Sequence, residues 1–185
     1  MKRLSMVCAL SLLLMGMVAG SAAALRSPAH IISAGSLLWA ASGASDACSL
    51  LSQSRVSAVL GVSIGPGDYP GGSSPFTGQP NRLLCQWSQP GNSFGGKRVR
   101  LDLFGPIGKL TPVERFNNAK TPVQGIVKTP ISGVGDDAYY IVSGLNTSLY
   151  VKKGGSVFDI VVFGFPEDQI KAMEKTLAQD VLAKL

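Results

Sequence analysis

The chain has one histidine, His30, which sets the first limit on chemistry. It lies ahead of the first recognisable folded element. Ser-His and Cys-His nucleophiles need an imidazole within hydrogen-bond reach, so ordinary triad catalysis has no candidate base. Cysteine is almost as scarce: Cys8, Cys48 and Cys85, with no C-x-x-C pair. A zinc centre needs about four nitrogen or sulfur ligands, and no such set exists, so neither a metal nor a cofactor is expected. Charge is sparse at 15% of residues. Lysine and arginine from Lys97 to Lys175 are scattered and not gathered on one helix or face, which argues against a nucleic-acid partner. Long apolar runs are missing too. The uncharged stretch from Met6 to Ala19 falls short of the roughly 20 residues a membrane-spanning helix requires.

What is present at the N-terminus reads as an export signal. Lys2 and Arg3 form a positive start, Leu10 to Val18 an apolar middle, and Gly20 to Ala24 a small-residue end with Ala22 and Ala24 at the small-x-small positions. Cleavage is expected after Ala24. Lipidation would need a cysteine at that point. Cys8 falls inside the apolar stretch and Cys48 far beyond it, so a lipid anchor is rejected and no stable transmembrane segment is expected after cleavage. Losing Lys2 and Arg3 from the seventeen basic residues leaves fifteen against eleven acids, a charge of +4. It also leaves two cysteines, Cys48 and Cys85, which most simply form a disulfide in an oxidising compartment. The chain-entropy relation assigns such a loop about 4 kcal/mol. The expected location is secreted or periplasmic.

The organisation that follows is a signal peptide over 1–24, a flexible leader over 25–47 and a single disulfide-stapled domain over 48–185. Ser52 caps a short helix from about Gln53 to Leu60, stopped by Gly61, with Leu50 and Leu51 as its hydrophobic staple. Gly, Pro and Ser dominate residues 61–80 and predict a long surface loop. Leu83, Cys85 and Trp87 alternate on one strand, and Val99, Leu101 and Leu103 on a second, as an antiparallel hairpin. Thr111 and Pro112 open a short helix through Phe116 and Ala119. Three strands follow, Ala138 to Val142, Leu149 to Val151 and Val157 to Phe163, the last buried on both sides. Residues around Val123 to Val127 read equally as a short edge strand or a loop. Pro166, Glu167 and Asp168 start a closing helix whose apolar face is Ile170, Met173, Leu177, Val181 and Leu185, with Lys171, Glu174, Lys175 and Gln179 elsewhere. The order α-ββ-α-βββ-α predicts an α+β fold, an antiparallel sheet of about five to six strands flanked by helices.

Four stretches in sequence carry a family resemblance: Cys48-Ser49-Leu50-Leu51, Cys85-Gln86-Trp87, Gly133-Val134-Gly135-Asp136-Asp137-Ala138-Tyr139, and Leu149-Tyr150-Val151-Lys152-Lys153-Gly154-Gly155. Their order resembles the exported bacterial domains of unknown function found in many actinobacterial lipoproteins and some proteobacterial secreted proteins, over about residues 46 to 185. The resemblance implies paired cysteines and an antiparallel sheet with flanking helices. It implies no activity. This chain departs from many such relatives in lacking a lipobox, and Arg55 stands where an acidic capping-box residue would be favourable.

Candidate chemistry is thin. Gly91 to Lys97 has the spacing of a phosphate-binding loop, but Arg98 replaces the required Ser or Thr and a strand follows, so a hairpin turn is expected. Asp136 and Asp137 are adjacent acids after two glycines. Neighbours on a strand point to opposite faces, which favours turn chemistry over a shared site. Trp87 and Tyr139, with Tyr140 and Phe163, are candidates to line a pocket, though strand aromatics are more often core. The function these features favour is a secreted or periplasmic non-catalytic binding or interaction module, its partner an unknown small ligand or envelope protein. The alternatives are a carboxylate-dependent envelope hydrolase or lyase, and a structural envelope-associated domain.

Overall fold

A computed structural model describes residues 46–70, 82–91 and 95–185. The expected signal peptide, nearly all of the leader and the loop over 71–80 lie outside the described residues. Two residues assigned to the leader belong to the fold. Asp46 caps α1 (Ala47–Leu50) by accepting the Cys48 N–H, and Ala47 is buried. Ser52 then caps α2 (Gln53–Leu60) by accepting the Arg55 N–H, and Gly61 ends it in the left-handed region at φ 66°. Arg55, unfavourable as a cap residue, instead reaches Asp180 of the closing helix at 2.7 Å.

The first half of the expected loop is not loose. Ile64 is buried, the Gly65 N–H donates to the Ser88 carbonyl, and Asp68 exchanges both backbone bonds with Gln86. This segment therefore runs along the outer edge of β1 (Leu84–Ser88). Gly67 permits it, because a Cβ there would stand 2.8 Å from both Cys85 Sγ and Trp87 Nε1.

β1 pairs with β2 (Arg98–Leu103) as the expected hairpin. The chain crosses through α3 (Pro112–Ala119), whose N-terminus is closed by a reciprocal capping box between Thr111 and Glu114. Residues 127–131 form the edge strand β3 (Val127–Ile131), so the order is α-α-ββ-α-ββββ-α. Its exposed Val127 and internal Pro130 explain why alternation did not reveal it: Pro is tolerated only on an edge, and an edge strand need not bury a face. β4 (Asp137–Ser143), β5 (Asn146–Lys153) and β6 (Ser156–Phe163) continue the meander, and β6 returns beside β2. The result is a six-stranded antiparallel sheet in the order β1-β2-β6-β5-β4-β3.

One sheet face carries Cys85, Trp87, Val99, Leu101, Phe158, Ile160, Val162, Leu149 and Val151, packed with α1, α2 and the closing helix α4 (Glu167–Leu182) into the main core. The Cys48–Cys85 disulfide ties α1 to β1 within it. The opposite face holds a smaller cluster under α3: Phe116, Tyr139 and Val157. Two features of α4 differ from expectation. Glu174, expected to lie off the apolar face, is 0% exposed, and Leu185, assigned to the apolar face, is exposed beyond the helix end.

Candidate functional site

The four residues singled out as a ligand or turn site do not meet. Trp87 is buried in the main core beside the disulfide. Tyr139 is buried on the other face, stacked on Tyr150 with centroids 5.5 Å apart, and its hydroxyl donates to the Phe116 carbonyl at 3.1 Å. Asp136 accepts the Gly154 N–H at 2.6 Å and Lys153 Nζ at 3.0 Å, holding its carboxyl below the usual range. It thereby braces the β5–β6 turn. Asp137 points the other way and pairs with Lys120 just after α3. Asp136 lies just ahead of β4 and Asp137 begins it, and both aspartates tie connections together.

A different pair of acids converges. On β2 the alternation places Arg98, Arg100 and Asp102 on the face away from the main core, and on β6 it places Asp159, Val161 and Phe163 there. Asp102 stands directly opposite Asp159, Asp159 opposite Tyr150 of β5, and Tyr150 opposite Tyr139 of β4. Like charges facing each other across a ladder are normally unfavourable. Asp159 is only 3% exposed. Burial, and then the Asp102 carboxylate, push its pKa up to about 7, against the pull of Arg100 and Arg115. Burial raises Asp102 as well, opposed by the same two guanidiniums. Arg100 Nη2 lies 3.7 Å from Asp159 Oδ2. Arg115 reaches over from α3, donating to the Gly105 carbonyl at 2.7 Å with its guanidinium 4.4 Å above Phe104. Phe104 meets Tyr150 edge-on at 5.7 Å. The row thus sets two carboxyls whose ionisation burial disfavours under an aromatic and cationic roof.

α3 packs over β5 and β6, and toward the β1–β2 hairpin this face becomes polar and half-exposed. Gln86 stands opposite Arg100, and Ser88 opposite Arg98, which in turn stands opposite Phe163. The Arg98 guanidinium lies 4.1 Å over the Phe163 ring, and Gln86 Nε2 donates to Ser88 Oγ at 3.0 Å. Here a cavity of about 240 Å³ opens, bordered by Gln86, Ser88, Gln89, Lys97, Arg98 and two glycines of the hairpin connection. Lys97 leads into β2 and not into a helix, as the failed nucleotide-loop spacing required.

Sequence reasoning missed the Asp102–Asp159 row. The signal was partly there: Arg98, Arg100 and Asp102 alternate with apolar residues, and Asp159 is the one charge inside an apolar strand. Among the described residues no group of three or more His, Cys, Asp or Glu is placed to hold a metal ion. Among them, too, no helix is long and apolar enough to cross a membrane. The sequence matches no family model, no curated protein and no solved structure.

Proposed function

We propose that this chain is an exported binding module, secreted or periplasmic and non-catalytic, which takes its ligand on the outer face of β1, β2 and β6. The observation that carries the reading is the change of character along that face. Aromatic packing under α3 gives way to a half-exposed polar strip and a cavity bordered by Gln86, Ser88, Lys97 and Arg98. Ligand sites are commonly concavities with a few placed polar groups on rigid elements, and two paired strands supply the rigidity. The Cys48–Cys85 disulfide and the resemblance to exported bacterial domains support the compartment.

One observation favours a carboxylate-dependent hydrolase or lyase: two acids directly opposed, both with raised pKa. Such pairs do divide acid and base roles. Asp159, however, is buried beneath its neighbours, which does not suit a group that touches substrate.

Protein recovered from an exporting host is expected to begin at Leu25 and to expose two thiols only after reduction. Amide spectra recorded with fractionated envelope extract are expected to change over residues 84–103 and 156–165. Turnover that disappears in Asp102→Asn and Asp159→Asn would replace this reading with the hydrolase. Perturbations confined to α2 and α4 would move the site to the other face.

A further inference from the structure

We propose that the cavity at the connection end of the β1–β2 hairpin binds an oxyanion, a phosphate monoester or carboxylate on a small hydroxylated molecule, with Arg98 as its principal recognition group. The inference rests on the outer-face reading and adds the class of ligand.

Charge is the first argument. Among the described residues no acid borders the cavity, while Lys97 and Arg98 both do. Elsewhere among the described residues, Arg55, Arg82, Arg100, Lys120, Lys153 and Lys171 form ion pairs with carboxylates, while Lys109, Lys128, Lys152, Lys175 and Lys184 form none. Lys97 and Arg98 are held instead by rings, Lys97 Nζ 4.5 Å from the Phe165 centroid and Arg98 over Phe163. A ring face orders a cation without neutralising it. A guanidinium lying over a ring keeps its in-plane N–H donors free at the edge, the arrangement that grips an oxyanion in two places.

The support is built into the backbone. Gly164 joins the two rings at φ 88°, and a Cβ there would stand 3.2 Å from Lys97 Cα. The turn therefore holds the Lys97 backbone close, with Phe163 under Arg98 on the outer face and Phe165 packed against the main core. The polar rim is ordered as well. Ser88 Oγ accepts from Gln86, so its own hydroxyl proton is available as a donor, and the Gln89 amide lies alongside. At about 240 Å³ the cavity falls below the 300–1,000 Å³ usual for drug-sized ligands, a size that suits an anionic group with the rest of its molecule in solvent.

Glycerol 3-phosphate titrated into the purified exported protein at low ionic strength is the direct test, read by amide chemical shifts. Saturable changes are expected at Ser88, Gln89 and residues 96–100. Arg98→Gln is expected to weaken binding by about tenfold or more, and Arg98→Lys, which keeps charge and loses the fork, to recover part of that loss. Lys175→Gln on the far helix is expected to leave affinity unchanged. Non-saturating shifts spread over all lysines, or equal affinity in Arg98→Gln, would overturn the inference. Co-sedimentation with phosphatidylglycerol vesicles that Arg98→Gln abolishes identifies a lipid headgroup as the source of the anion. Binding of the soluble phosphate without vesicle association identifies a free ligand. If extract components perturb the outer face while no phosphate or carboxylate binds there, the anion inference fails and the binding-module reading stands.

Discussion

Replacing Glu174 by glutamine should stabilise this protein at neutral and alkaline pH and remove much of its pH dependence. Glu174 is fully buried on α4, one turn after Ile170 and one before Leu177. The β5–β6 ladder ends at Leu149 opposite Ile160, and two residues further on the Val162 N–H donates to Glu174 Oε1 at 3.0 Å. Its other oxygen has no hydrogen-bond partner. Burial drives the carboxyl pKa up from 4.5 to about 9, with the Val162 N–H pulling the other way. The folded state therefore holds a proton that the unfolded chain releases. For an acid raised in this way, the contribution to stability is largest below the unfolded value. It falls as pH rises toward the folded value, at about 1.4 kcal/mol per pH unit. By pH 7 the accumulated loss is about 3 kcal/mol.

Glutamine keeps the oxygen that receives the Val162 N–H and cannot ionise. Its buried amide protons cost about 1–2 kcal/mol without an acceptor, so near pH 5 the variant should equal or slightly trail the natural chain. Between about pH 5 and about pH 8 the difference should swing in favour of Glu174→Gln by about 1.4 kcal/mol per unit. Asp159 titrates in both proteins and largely cancels from that difference. Urea unfolding midpoints at several pH values measure it. Parallel curves, or an advantage that shrinks as pH rises, would refute the argument.

Two further outcomes follow from backbone and covalent constraints. Reducing the Cys48–Cys85 bond, which spans a sequence separation of 37, should lower unfolding stability by about 4 kcal/mol, measured with and without reductant in the same denaturant series. Gly135→Ala should destabilise by about 2 kcal/mol or more in thermal or urea unfolding, because the position has φ 60° and a Cβ would meet the Lys152 carbonyl and Val151 Cγ1; a neutral result would mean that the turn relaxes freely.

Sequence and fold agree most closely where a local rule is sufficient. Ser52 and Gly61 bracket α2, Thr111 and Pro112 open α3, and the apolar residues on both sides of β6, broken only by Asp159, mark a strand buried on both faces. Departures occur where a residue answers to something distant. Helical spacing sets Glu174 beside Ile170 and Leu177, but its charge argues for water, and only the end of the β5–β6 ladder gives it a buried donor to serve. Residues 64–68 have loop composition, and only the β1 edge turns them into a bonded flank. β3 has neither alternation nor an apolar face of its own, and it exists because β4 offers an edge.

The candidate site was illegible for a related reason. Asp136 and Asp137 drew attention because they are adjacent in sequence, yet Asp136 lies just ahead of β4, Asp137 begins it, and each ties a different connection. Asp102 and Asp159 are far apart in the chain and face each other because β6, after the four-strand meander, returns to pair with β2. The same return sets Phe163 under Arg98 and brings Gly164 against Lys97. One pairing register therefore assembles both a buried carboxyl row and an exposed cationic rim on a single face. Arg100 lies between them, opposite Gln86 on one side and within 3.7 Å of Asp159 on the other. Protonation of Asp159 removes the charge that Arg100 faces inside the sheet and leaves that guanidinium to add to the potential at the rim. Anion affinity should accordingly rise as pH falls through about 7, and Asp159→Asn should hold the higher affinity at every pH. A pH-independent affinity in the natural chain would mean that the row and the rim share a face without sharing a charge.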